Sequence, residues 1–247
     1  AFRVSLDCDL YITGSNARLL SSEISTYLTG RYVEIQVFPL SFKELYADRR
    51  SKNGSTTDKD DLFNTYVKWG GMPFLQQLGN SEGFYEQYLS ELYNSIVVKD
   101  IVRRNKIRNI DHLERVIKFA ISNVGRQFSP FSVSKYFKNE GVKISNDSVA
   151  AYMRFCREAF LLMKAKRYDM HGKKILKTNE KYYVADLGLK EVLDPLNKND
   201  IEQRLENIVY EELLRREFKV NVGDNRNCEI DFIAKKGDTQ KYIQVSY

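Results

Sequence analysis

Cysteine, histidine and long apolar runs are all scarce in this sequence, and each scarcity excludes a class of protein. The three cysteines, Cys8, Cys156 and Cys228, lie far apart and are odd in number. That is no disulfide framework, and it fits a reducing cytoplasm. No apolar stretch approaches the ~20 residues that cross a bilayer, and no basic-then-apolar leader opens the chain, so neither a membrane partner nor secretion is indicated. The two histidines, His112 and His171, stand far from each other and from any cysteine at ligand spacing. A metal site of zinc type, or a Ser–His or Cys–His nucleophile, therefore has no support. Also missing is the phosphate-cradling pattern G-x-x-x-x-G-K-[ST]. The one Gly-Lys pair, Gly172-Lys173, has neither the upstream glycine nor the following hydroxyl. Val4-Ser5-Leu6-Asp7 ends in an acid, as a magnesium-holding strand would, but Cys8 follows and the segment reads as linker. Internal repeats and long low-complexity tracts are absent too.

What is present suits a folded protein with a polyanion-binding segment. Hydrophobic residues make up 43% of the chain and charged residues 29%, enough for a core inside a hydrated surface. The net charge of +6 is uneven: Asp111 to Tyr183 holds 15 Lys and Arg against 7 Asp and Glu, while the remainder holds 24 against 26. A basic segment between near-neutral ones is the footprint of a nucleic-acid contact, and equally of a solvated basic face. The 16 Tyr and 14 Phe fall at core spacing, which argues against a base-stacking platform. The chain opens at Ala1 and closes at Tyr247 within strand-like sequence, so a piece of a longer protein is expected.

Periodicity and turn signals divide the chain. Leu10 to Thr13 reads as a strand ended by Gly14-Ser15-Asn16, and Leu19, Leu20, Ile24, Tyr27 and Leu28 as a helix closed by Gly30. Tyr32 to Val37 alternates as a second strand. Asp48 to Asp61 is polar and reads as a mobile loop. Asp61 to Ile107 is helical, broken at Gly70-Gly71-Met72-Pro73, with a second helix starting near Ser81. Its terminal Arg103, Arg104, Lys106 and Arg108 suit a helix C-terminus. Three helices follow: His112 to Asn123, a second after Ser129-Pro130, and a third capped by Ser145 or Asn146 with Val149, Met153, Cys156 and Phe160 on one face. Two strands, Leu162 to Tyr168 and Lys174 to Val184, flank Met170-His171-Gly172. Three helices and a hairpin are the layout of a winged helix-turn-helix. Its DNA-facing groups would be Asn146, Ser148, Arg154 and Arg157 on the third helix, and Lys164, Lys166, Arg167, Lys173, Lys174 and Lys177 on the wing. A protein contact fits the same layout.

The last segment reads as a helix, Arg204 to Glu217, and a meander of strands near Lys219 to Val222, Glu229 to Ala234 and Lys241 to Tyr247. Glu206, Asp231 and Gln244 then resemble the PD-(D/E)xK nuclease core, in which acids from a helix and two strands hold a divalent metal. Ser246 stands where that pattern has lysine, which favours an inactive nuclease-like fold over metal-dependent cleavage.

At the other end, a strand ending in Ser15 and Asn16 resembles the γ-phosphate sensor of AAA-type ATPases. Arg31, after one helix, resembles the arginine that reaches a neighbouring subunit's nucleotide in a homo-oligomer. DLYITGSNARLLSSEISTYLTGRYVEIQVFPLSFKEL, YVKWGGMP, ENIVYEELLRRE and EIDFIA occur in that order. Nearly the whole chain thus resembles a prokaryotic family of predicted AAA-type ATPases with a C-terminal domain of unknown function. The resemblance implies ATP and magnesium for the full-length parent and no ATPase activity for this piece. The expected α/β multi-domain layout is the end of a P-loop ATPase core over 1–47, a helical lid over 48–110, a winged helix-turn-helix over 111–186 and an incomplete nuclease-like domain over 187–247.

Overall fold

The computed structural model describes residues 11–17, 33–53, 58–79, 81–172, 174–176, 179–225 and 229–246. Short-range chemistry sets most of its helix boundaries. Helix α1 (Phe42–Asn53) begins with a reciprocal cap: the Ser41 N–H donates to the Glu44 carboxylate at 2.8 Å, and the Glu44 N–H donates to the Ser41 hydroxyl at 3.3 Å. Asp58 caps α2 (Lys59–Trp69), which stops at Gly70 with φ of 73°. A 3-10 turn at Pro73–Gln77 leads to α3 (Glu82–Ser95), which runs on as a π-helical segment, Ile96–Arg103. Of the loop expected over 48–61, residues 48–53 and 59–61 are helical, and 54–57 lie outside the described residues. The Lys52–Asp48 pair at 2.7 Å, four residues apart, supports a turn that composition alone reads as irregular.

The basic region follows as α4 (Ile110–Ser122), the short strand β1 (Gln127–Phe128), α5 (Pro130–Asn139) and α6 (Asn146–Glu158). Ser129 and Ser145 cap the last two helices through the backbone N–H groups of Ser132 and Ser148. Leu113, Val116, Ile117, Ala120, Val133, Val149 and Cys156 from these helices are fully buried. Each larger aliphatic side chain so placed contributes about 1.5–3 kcal/mol. Phe160 is not on this face. It lies beyond the end of α6 at φ of 53°, where the chain turns to enter the sheet, and it is exposed.

Strands β2 (Leu162–Asp169), β3 (Lys174–Ile175) and β4 (Glu180–Val184) come next, then α7 (Leu187–Leu193) and α8 (Ile201–Arg215). A meander of β5 (Lys219–Asp224), β6 (Glu229–Lys236) and β7 (Thr239–Ile243) closes the order. One mixed sheet runs β1-β4-β2-β5-β6-β7, with β3 beside β2. All pairs are antiparallel except β2 with β5, which run parallel from Lys166 opposite Asn221 to Asp169 opposite Asp224. A parallel pair needs a long crossover, and α7 and α8 supply it. Tyr210 on α8 stacks on Tyr183 of β4 at 4.3 Å between ring centroids and on Phe232 of β6 at 5.7 Å, sealing both halves of the sheet under one helix.

The strands expected at 10–13 and 32–37 are not formed where the chain is described. Tyr11 to Thr13 and Val33 to Val37 are exposed and carry no ladder. Alternating side chains suit a strand but do not provide the hydrogen-bonded neighbour that one requires. Arg31 and the helix around Leu19 lie outside the described residues.

Candidate functional site

The acids expected to converge do so, around a cation that sequence reasoning missed. Glu206, Tyr210 and Leu213 share one face of α8 at helical spacing, so the packing of that face carries Glu206 inward. Lys181 and Tyr183 share a face of β4, and Glu229 and Asp231 share one of β6. The Lys181 Nζ lies 2.7 Å from Glu206 Oε1, 2.5 Å from Glu229 Oε1 and 3.7 Å from Asp231 Oδ1, with only 3% of the residue exposed. Other donors orient the same carboxylates. The Tyr183 hydroxyl donates to Glu206 Oε1 at 2.5 Å, the Val245 N–H donates to Asp231 Oδ2 at 2.8 Å, and the Gln127 amide donates to Glu229 Oε2. Gln244 joins through its Oε1, which accepts from the Asp231 N–H at 3.4 Å. Gly125 gives the shell room, since a Cβ there would lie 3.1 Å from Glu206 Oε2.

Burial works against charge on Lys181, but Glu206 and Glu229 outweigh it, and its pKa is raised. Burial raises the pKa of Glu206 as well, against the pull of Lys181 and Tyr183. A protonated lysine held by carboxylates is a counter-ion rather than a base or nucleophile. Its sequence signal is faint: a lone cation in the strand Glu180-Lys181-Tyr182-Tyr183-Val184, counted with the basic region. Glu229 carries a plainer signal, two residues before Asp231 on the same strand face.

A second buried ionic group is a clamp between helices. Arg204, fully buried, meets Glu191 at 2.8 Å and Asp200 at 3.2 Å, and donates to the Val67 and Lys68 carbonyls at the end of α2. Lys190 meets Asp194 and Asp200 at 2.5 and 3.1 Å. Next to it, Asp186 caps α7 through the Gly188 N–H at 2.8 Å and accepts from the Gly71 N–H at 2.7 Å. The Leu40 N–H in turn donates to the Gly71 carbonyl at 2.8 Å. The Trp69-Gly70-Gly71-Met72-Pro73 string is therefore a docking turn.

The other expected sites are less assembled. The Ser15 hydroxyl lies 3.4 Å from both carboxylate oxygens of Asp100 in the π-helical segment, and Asn16 is 1% exposed. Asn146, Arg154, Arg157, Lys166 and Lys174 are exposed, with Arg154 3.8 Å from Glu158. Three other basic-face candidates are committed within the fold. Ser148 belongs to the α6 cap, Lys164 pairs with Glu180 at 2.6 Å, and Arg167 pairs with Asp224 across the parallel strands. Lys173 and Lys177 lie outside the described residues. Among the described residues no group of three or more His, Cys, Asp or Glu side chains is arranged to hold a metal ion, and no helix is long and apolar enough to cross a membrane.

Residues 60–200, from α2 through the basic region to the start of α8, match a domain of unknown function, DUF8612. The chain belongs to the DUF8612 family. Residues 2–46 of this DUF8612 chain match an AAA domain. An uncharacterized protein of Haemophilus influenzae is 43% identical over 248 residues, spanning 100% of this chain and 61% of the relative. Uncharacterized protein MJ1544 of Methanocaldococcus jannaschii is 30% identical over 249 residues, spanning 97% of this chain and 55% of the relative. The chain thus spans little more than half the length of the curated relatives it matches. No solved structure matches.

Proposed function

We propose that this chain is the part of an ATP-hydrolysing protein that carries nucleotide state to a basic winged helix-turn-helix. The observation that carries the reading is the match of residues 2–46 to an AAA domain. The Ser15–Asp100 approach supports it, because it joins the sensor segment to the helix leading into the basic region. In the full-length parent, ATP with magnesium would be read by Ser15 and Asn16. Arg31 would complete a neighbouring copy's site in a homo-oligomer, neutralising charge that develops on the transferred phosphoryl group. Arg31→Ala in the full-length protein is expected to lower ATP turnover by about tenfold or more while ATP affinity stays nearly constant. Steady-state hydrolysis beside nucleotide titration measures both, and unchanged turnover overturns the role.

The order α4-β1-α5-α6-β2-β4, with β1 beside β4 and β4 beside β2, favours a second element of the reading, contact with DNA. Arg154, Arg157, Lys166 and Lys174 would meet phosphates. Affinity for duplex DNA should fall steeply with salt, and Arg157→Ala with Lys166→Ala should flatten the log–log slope by about 0.9 for each phosphate left without its cation. Absence of duplex binding at low salt leaves the basic face to a protein partner. The α8–β5–β6–β7 order follows a nuclease-like core without its lysine at Ser246, and we read it as an inactive relative.

A further inference from the structure

The shell of Glu206, Glu229 and Asp231 has the donor chemistry of a divalent-cation site, yet its centre is filled by a side chain from β4. We infer that the Lys181 ammonium is a resident substitute for a divalent cation, closing a site that an oxygen-seeking metal would otherwise occupy. The ammonium reaches Glu206 Oε1 and Glu229 Oε1 at hydrogen-bond distance, 2.7 and 2.5 Å, while Asp231 Oδ1 at 3.7 Å adds its charge without a direct bond. Carboxylates crowded out of water repel one another unless a cation sits between them. The shell is also oriented by groups other than the lysine. Tyr183, Gln127 and the Val245 N–H each hold one of the three acids from a different segment. Removing the ammonium therefore leaves each acid with a hold of its own around the point that Nζ fills. Hard all-oxygen donors at that point suit magnesium, manganese or calcium rather than zinc or copper. The centre is occupied by Nζ in the native chain, so the native chain is indifferent to these ions and to chelators.

The test uses the whole chain, its Lys181→Ala variant and the double variant Lys181→Ala with Asp231→Asn. Free manganese is followed by its paramagnetic resonance during titration, and melting temperature with and without the ion. Lys181→Ala is expected to bind manganese about tenfold or more tighter than the native chain. The ion should raise its melting temperature while leaving the native chain unmoved, and the double variant should lose both effects. A native chain that binds manganese as tightly as Lys181→Ala, with Glu206→Gln abolishing that binding, overturns the inference. So does a folded Lys181→Ala that binds no better than the native chain. Should Lys181→Ala fold only when manganese is supplied, the inference stands; should Lys181→Ala and Lys181→Ser both stay unfolded in millimolar manganese, it falls.

Discussion

Glu211 and Asp186 are both buried, and the charge of Asp186 is felt at Glu211. Burial, reinforced by Asp186 and opposed by Arg215, pushes Glu211 up to about 8. Asp186 is raised to about 6 by burial, against hydrogen bonds from Gly71, Gly188 and Leu189. Unfolded, the two acids would titrate near 4.5 and 3.8. The folded chain therefore binds more protons than the unfolded chain between those values and about 8 and 6, so these groups cost stability as pH rises through the two windows. Glu211→Gln keeps the shape and removes the charge, while Arg215 retains Glu212 and Glu44 within reach. The variant should melt above the native chain near pH 8, with the gap closing towards about pH 5. Melting curves that run parallel across that range would contradict the assignment.

Among elements, the docking turn after α2 is the least forgiving. A Cβ on Gly71 would lie 2.1 Å from the Leu40 carbonyl oxygen, and retreat is blocked because the Gly71 N–H is held by Asp186. Gly71→Ala is expected to cost on the order of 3 kcal/mol in urea unfolding. Gly83→Ala on α3, where a Cβ meets nothing within 4 Å, should instead be neutral or stabilising by about 0.5–1 kcal/mol. An equal loss at both positions would refute the steric account. Helix starts at Ser129-Pro130 and Ser145 are legible in the sequence because a cap is satisfied within three residues. The strands expected at 10–13 and 32–37 do not form over their described residues, 11–13 and 33–37, because alternation describes a face and says nothing of a neighbour. The Gly70-Gly71 break is visible as a break, but its purpose depends on Asp186, 115 residues away from Gly71.

At the scale of the molecule, element types alone bring Glu206, Asp231 and Gln244 together and leave out Lys181, which belongs to β4. Spacing cannot reveal that membership, because the lysine reaches the acids only once β2 has paired with β5 across the helical crossover. The same pairing explains why Arg167, counted among DNA-facing cations, is committed to Asp224. Its consequence is that β2 is a shared spine: its first half pairs with β4, which carries Lys181, and its second half with β5, so the strand that leaves the basic helices also joins the two sides of the carboxylate shell.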